Sequence, residues 1–420
     1  VKRWFQSRPA LAWAFYDWAN SAFATTVMAG FFPQFFRAFW SAGADTTVTT
    51  LRLGVANGAA GLIVAVLAPV LGAIADRGGA RVRFLAAWSV LGIAATAGLF
   101  FVGQGNWALA AGLFVLGTMG FNGGVVFYDA LLLDVAQPAD YDRVSALGYA
   151  LGYLGGGLLF ALNVLMVLKP AFFGLSGAAA AVQYSFLTVA VWWLVFMLPL
   201  VLFVREPAGD GARRAAGQSA LAAGLAEVWS TFRHAASLKP LFAFLIAYWL
   251  YIDAVNTIIK MAIDYGMALG LDSAALLAAL LLTQFVAFPA AIVFGRIGER
   301  IGPRAGILIG LAVYLGVTLW AYFLDSTAEF YAMAVVVGLV QGGVQSLSRS
   351  FFGRLVPPGK SAEFFGLYNM VGKFGTVIGP LLVGGVAWAT GSSRLSILSL
   401  ALIFILGGVL LWRVRDPRPS

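Results

Sequence analysis

Two carboxylate–amide pairs stand where hydrocarbon is expected. The first hydrophobic stretch opens with Trp13-Ala14-Phe15-Tyr16-Asp17-Trp18-Ala19-Asn20, and the same spacing returns as Trp249, Asp253 and Asn256. In both copies Asp follows Trp by four residues and Asn follows Asp by three, and 236 positions separate each matched pair. An Asp at the centre of a membrane helix costs about 2.5 to 3.5 kcal/mol on the insertion scale, so these acids are expected to face protein or water. Such an acid has two uses. It can take up and return a proton during a working cycle, or it can lock its helix to a neighbouring base, and the residues leave both uses open for Asp17 and Asp253.

Further polar groups recur at helical spacing. On the seventh hydrophobic stretch Asp253, Asn256, Lys260 and Asp264 fall at i, i+3, i+7 and i+11, which is one helix face. The tenth carries Gln341, Gln345 and Arg349, the fourth Asn122 and Asp129, and the eleventh Lys373. Arg349 and Lys373 are candidates for gripping an anionic group, because a guanidinium can hold a carboxylate through two parallel hydrogen bonds. Asp129 is the competing partner of Arg349, since buried charges are usually paired and the two positions are symmetry mates 220 apart. Lys260 has Asp264 one turn along. Trp13, Tyr16 and Trp249 share a face or neighbourhood with the acids and are cavity candidates. The expected substrate-binding set is Trp13, Tyr16, Asn20, Asn256, Gln341, Gln345, Arg349 and Lys373, and the expected proton-coupling set is Asp17, Asp129 and Asp253.

The elements that must position these groups are membrane helices. The 420 residues are 61% hydrophobic and 11% charged, whereas a water-soluble domain carries roughly a quarter charged residues. Hydropathy marks about twelve stretches near the roughly 20 residues a bilayer core requires, the first over 11–36 and the eleventh over 362–390. The net charge of +9 could suggest nucleic acid, but its placement argues against that. If the first stretch runs outward, twenty of the 27 Lys and Arg residues fall on inside segments, and the outside segments hold only Arg37, Arg52, Lys169 and Arg394. This pattern places both termini in the cytoplasm.

The two halves match beyond the first stretch. Gly72-x-x-x-Asp76-Arg77-x-Gly79-x-Arg81 follows the second, and Gly295-x-x-x-Glu299-Arg300-x-Gly302-x-Arg304 follows the eighth, offset by 223. Pro138 pairs with Pro358 and Gly152 with Gly372 at offset 220, and Val204-Arg205-Glu206-Pro207 pairs with Val414-Arg415-Asp416-Pro417 at offset 210. The offset shrinks where the first half has its longer outside loops. Between the halves lies the longest inside connection, where Leu221, Leu225, Val228, Trp229 and Phe232 predict an amphipathic helix on the cytoplasmic membrane surface, with His234 a surface residue. The expected division is 1–204, a six-helix bundle; 205–239, a cytoplasmic linker; and 240–420, a second six-helix bundle.

Six plus six spans, two cytoplasmic termini and the repeated acid-Arg-Gly-Arg signature resemble the major facilitator superfamily over the whole chain. More narrowly, Tyr16-Asp17-Trp18-Ala19-Asn20-Ser21-Ala22-Phe23 with Phe31-Phe32-Pro33 resembles the first span of its vacuole-effluxer-like family. The resemblance implies an all-α polytopic membrane protein of major facilitator fold, with twelve transmembrane helices in two pseudo-symmetric six-helix bundles. It implies that the first, fourth, seventh and tenth spans line a central cavity. It makes Asp76, Arg77, Arg81, Glu299, Arg300 and Arg304 a gate that bridges the halves when the inside is closed. Fungal members export amino acids from the vacuole, which implies a small polar or zwitterionic cargo moved by alternating access, with protons as a coupling ion. A zwitterion offers a partner to cavity charges of each sign.

The same inventory leaves open an exporter of drugs or lipids, and, from another class, a non-transporting scaffold or receptor. No nucleophile–base arrangement, phosphate-cradling loop or metal cluster is visible, so neither an enzyme nor a cofactor is expected. The expected partners are a small-molecule substrate and the lipid bilayer, with no nucleic acid, for a monomer in the bacterial inner membrane.

Overall fold

The computed structural model describes residues 7–205, 220–374 and 378–415. Among them every regular element is helical. The chain begins with α1 (Arg8–Ala22), whose Ser7 side chain accepts from the Ala10 amide at 3.3 Å and whose Pro9 occupies the first turn, where no N–H partner is needed. The helix then widens into π-helical turns over Phe23–Phe31, returns to α-helix in α2 (Phe32–Phe35), and widens again over Phe36–Trp40. The remaining helices of the first half are α3 (Thr46–Gly78), α4 (Arg81–Gly98), α5 (Trp107–Val135), α6 (Tyr141–Leu168) and α7 (Ala178–Phe203).

Helix α8 (Ala220–Ser237) leads to the second half, which comprises α9 (Lys239–Ala268), α10 (Ser273–Ile301), α11 (Pro303–Tyr322), α12 (Thr327–Leu355), α13 (Ser361–Phe374), α14 (Ile378–Thr390), α15 (Ser393–Leu398) and α16 (Leu400–Arg413). Among the described residues eleven helical stretches are long and apolar enough to cross a membrane, from Leu51–Asp76 to Ser393–Arg413. The expected first span is not one of the eleven. Its α-helical part is only 15 residues, because π turns interrupt the rod that continues to Trp40. Single π turns inside α-helices are frequent at functional sites.

The halves meet along two seams, α3 against α13 and α6 against α10 and α12. The first seam depends on glycine. A Cβ at Gly72 would lie 2.2 Å from the carbonyl oxygen of Ala362, and one at Gly366 would lie 2.7 Å from the Cα of Pro69. Both obstacles are backbone, so neither can swing aside.

Charges bolt one end of these seams shut. The Asp76 carboxylate accepts from the amides of Ala362 (3.0 Å) and Glu363 (2.9 Å), in the first turn of α13, where helix-end amides lack partners and favour an anion. Arg81 holds the same carboxylate at 2.8 Å and also donates to Asp134. On the second seam Arg354 of α12 grips Asp142 of α6 through two bonds of 2.8 and 3.0 Å. Arg143 lies 3.5 Å from Glu299.

Helix α8 is docked on this charged end and touches both halves, packing against α3, α9 and α13. Thr231 is buried and donates to Glu363 at 2.6 Å. Trp229 and Phe232 are exposed with their rings stacked 6.0 Å apart, as the amphipathic expectation requires, while the side chains of Leu221, Leu225 and Val228 lie outside the description. His234 departs from the expected surface position. It is half-buried, edge-on to the Phe364 ring at 5.6 Å, because the face of α8 opposite the aromatic pair turns toward α13.

A side chain at Gly72 or Gly366 must therefore prise α3 from α13. In this cysteine-free chain a Ser361→Cys substitution places a thiol at a buried position on the seam. Adding Gly72→Leu is expected to speed its labelling by a water-soluble maleimide several-fold. Gly384→Leu, where a Cβ meets nothing within 4 Å, should leave the rate unchanged.

Candidate functional site

Between the seams lies a cavity of about 810 Å³ lined from both halves. Asp17, Asn20 and Thr25 reach it from the first rod, and Asn122, Tyr128 and Asp129 from α5. Helix α6 contributes Tyr149, Gly152 and Tyr153, and α9 contributes Tyr248 and Asn256. Gln284, Gln341, Gln345, Arg349, Tyr368, Asn369 and Lys373 also line it. The cavity also extends to Gly58 and Leu62 of α3, eighteen and fourteen residues from Asp76, or about 27 and 21 Å along the helix axis. Both are exposed. The space thus reaches toward the end opposite the charge bolts.

Arg349 is the most heavily bonded group in the lining. Its Nη1 donates to Asp129 Oδ1 at 3.0 Å, its Nε to the Ser145 hydroxyl at 2.9 Å and its Nη2 to the Ser145 carbonyl at 2.8 Å. The Asn369 amide supplies the other Asp129 oxygen at 2.9 Å. The guanidinium lies 4.4 Å from the centre of the Tyr149 ring, 4.8 Å from Trp13 and 5.1 Å from Tyr128, within reach of cation–π attraction. Arg349 belongs to the second half, whereas Asp129, Ser145 and the three rings belong to the first. The pair therefore joins the halves at the cavity wall.

Asp17 is placed differently. It is half-buried, and its oxygens meet only the hydroxyls of Tyr128 at 3.3 Å and Ser21 at 3.4 Å among the bonds described. Both are longer than the 2.5–3.0 Å of an ordinary O–H···O bond. Gly152 makes room for it, since a Cβ there would lie 2.7 Å from the Ser21 hydroxyl and 3.2 Å from the Asp17 carboxyl carbon. Two bonds cross the halves nearby: Gln284 donates to Thr25 at 2.8 Å, and Tyr153 donates to Gln345 at 2.8 Å.

Of the residues singled out from sequence, Asp17, Asn20, Asp129, Asn256, Gln341, Gln345, Arg349 and Lys373 line the cavity together. Trp13 and Tyr16 are fully buried behind its wall. The Trp13 indole donates to the Tyr128 carbonyl at 2.7 Å and stacks on its ring at 4.3 Å, while the Tyr16 and Ser89 hydroxyls share a 2.8 Å bond. These two residues hold Tyr128 and Arg349 in place rather than presenting polar atoms to the cavity.

Asp253 is also outside the lining. It is buried, and its carboxylate accepts from the Gly379 amide at 2.6 Å. The repeat thus gives matched aspartates different duties. The side chains of Lys260 and Asp264 lie outside the description.

The gate residues also divide. Asp76 and Glu299 make contacts across the seam, while Arg81 bridges Asp76 and Asp134 within the first half. Arg304 donates to the carbonyls of Trp412 (3.3 Å) and Val414 (2.8 Å), closing the end of α16, and Arg300 is exposed. The Arg77 side chain lies outside the description. Sequence reasoning missed Asp142, Arg143 and Arg354, which join the halves, and the cavity tyrosines. Tyr149, Gly152 and Tyr153 at i, i+3 and i+4 share one face, which was the available signal.

Comparisons with known proteins agree with this architecture. The chain matches the family described as vacuole effluxer Atg22-like over residues 53–139 and 134–419. It is 36% identical over 409 residues to the uncharacterized MFS-type transporter YxiO of Bacillus subtilis, covering 95% of this chain and 93% of that protein. It is 27% identical over 301 residues to autophagy-related protein 22-2 of Neosartorya fischeri, covering 65% of this chain and 49% of that protein, so it spans about half the length of this fungal relative. The fold superposes on the human organic anion transporter MFSD10 with a TM-score of 0.74 at 16% identity, over 96% of this chain and 99% of that one. It superposes on the transporter FucP in its outward conformation with a TM-score of 0.71 at 14% identity, over 99% and 100%. The chain belongs to the vacuole effluxer Atg22-like family, a family of membrane transporters with the major facilitator fold rather than of enzymes.

Proposed function

We propose that the protein is a secondary active transporter that moves a small polar or zwitterionic solute, with amino acids the leading class, by alternating access coupled to protons. The observation that carries this reading is a cavity with charges of both signs, shut at one end by pairs that cross between the halves. A fixed scaffold has no need of an internal polar space, and a carrier of purely apolar cargo has no need of charges inside it. Membership of a family of vacuole effluxer-like proteins supports solute export.

The working units are the bundles 1–204 and 240–420, joined by the linker 205–239. The protein acts as a monomer in the cytoplasmic membrane of a bacterium, with the charged end and both termini facing the cytoplasm. The Lys and Arg asymmetry supports that orientation. With the charged end bolted, the cavity exchanges solute and protons with the far side. Opening the charged end separates Asp76 from α13, Asp142 from Arg354 and Asp129 from Arg349. Asp17 is the coupling acid of the three candidates, because it meets the cavity without an arginine partner among the ion pairs described.

Two experiments test this. In proteoliposomes a pH gradient should drive flux of labelled amino acids, and Asp17→Asn should abolish the gradient dependence while the protein stays folded. Gradient-independent flux in the unsubstituted protein would count against coupling. Asp129→Ala leaves the Arg349 guanidinium buried without its carboxylate and should destabilise the protein by about 3 to 5 kcal/mol, read by thermal unfolding. Asp129→Leu combined with Arg349→Met should recover much of that stability without restoring transport.

A further inference from the structure

The charges in the cavity are not equally committed. Asp129 has both oxygens bonded, to Arg349 and Asn369, and Arg349 has all three nitrogens bonded to first-half atoms. Their charges neutralise one another and hold the halves together. Asp17 instead has two hydroxyl contacts at 3.3 and 3.4 Å, although an ionised carboxylate offers about four acceptor positions. The groups facing it are Tyr128 and Asp129 on α5, Tyr149 and Tyr153 on α6, and Arg349 on α12, while α7 brings the uncharged rings Trp192 and Phe196 against Trp18.

The shape around Asp17 fits one kind of group. Gly152 stands opposite the carboxylate, and Tyr149 and Tyr153 flank that glycine on the same face of α6. A carboxylate that lines a cavity together with these tyrosines suits a compact cation, which gains charge-assisted hydrogen bonds from the acid and attraction from aromatic ring faces. The Tyr149 ring already faces the Arg349 guanidinium at 4.4 Å. Gly152 lets α6 approach the acid closely, since a Cβ there would lie 3.2 Å from the Asp17 carboxyl carbon.

We infer that Asp17, with Tyr149 and Tyr153, is the subsite for a primary ammonium group of the cargo, and that the ammonium and a proton occupy this one carboxylate in turn. The inference rests on the reading of the chain as a carrier of small polar solutes. It gives the coupling its sign. A proton on Asp17 removes the charge that holds the ammonium, so cargo leaves when a proton arrives from the side then open, and the proton leaves when cargo returns. Protons and cargo therefore move in opposite directions.

The test uses the purified full chain and thermal-shift titration with L-amino acids, each beside its N-acetyl derivative and its decarboxylated amine, at about pH 5.5 and about pH 8. Amino acids and amines should stabilise the protein and N-acetyl derivatives should not. The apparent affinity for the amine-bearing probes should fall on acidification. Asp17→Asn should weaken them about ten- to a hundredfold and remove the pH dependence, the loss expected for one hydrogen-bonded charge partner. Asp17→Glu should keep the requirement for the amine. Tyr149→Phe, which keeps the ring face, should bind more tightly than Tyr149→Leu.

Equal stabilisation by the N-acetyl derivatives overturns the subsite alone, and so does unaltered binding by Asp17→Asn. If no probe shifts the unsubstituted protein, the carrier reading falls and the subsite falls with it.

Discussion

Everything in the molecule depends on how it accommodates charge inside an apolar bundle, and the bond that does most of this is Arg349 to Asp129 and Ser145. An ion pair withdrawn from water stabilises a protein only when its geometry is good and its remaining hydrogen bonds are satisfied. Here the guanidinium uses all three nitrogens, the carboxylate uses both oxygens, and three aromatic rings enclose the charge. Because the partners come from opposite halves, the arrangement exists only while those halves are pressed together. The desolvation cost of the charges is thereby tied to the conformation.

The other cross-half contacts obey the same logic. Asp76 meets the first turn of α13, Arg354 meets Asp142, and Gly72 lets the backbones of α3 and α13 approach closely. Few contacts of this kind lie around the far part of the cavity, where Gln284 to Thr25 is a single neutral bond. One end is fastened by charge and the other by weak polar contacts. Such an asymmetry suits a cavity that communicates with the weakly held side, and any event that neutralises or re-pairs a cavity charge bears directly on the strongly held one.

The fold was legible in sequence because hydropathy reports burial in lipid directly and the internal repeat fixes the pairing of spans. The site was partly legible. Asp17, Asp129 and Arg349 stood out because ionisable residues in hydrocarbon are costly wherever they occur. Trp13 and Tyr16 were assigned to the cavity through their nearness to those acids and Asp253 as the repeat mate of Asp17, and neither sequence nearness nor a repeat specifies which way a side chain points. Asp253 turned instead to the Gly379 amide, a contact that no hydropathy average over 362–390 could register. The first span's π turns were hidden for the same reason, since a π turn changes register without changing composition. Arg143 and Arg354 escaped notice because they sit outside the repeated acid-Arg-Gly-Arg signature, although they complete the same closure.

The central claim is that the two halves rock about the cavity, so that one end opens as the other closes. The chain has no cysteine, so paired spin labels can be introduced at exposed Arg83 and Arg300 on the charged end, and separately at exposed Ala42 and Met267 on the far end. Distances measured by pulsed electron resonance across a pH series with amino acids present should change in opposite senses, the charged-end pair lengthening as the far pair shortens. Distances that stay fixed at both ends, or that lengthen together, would contradict the account.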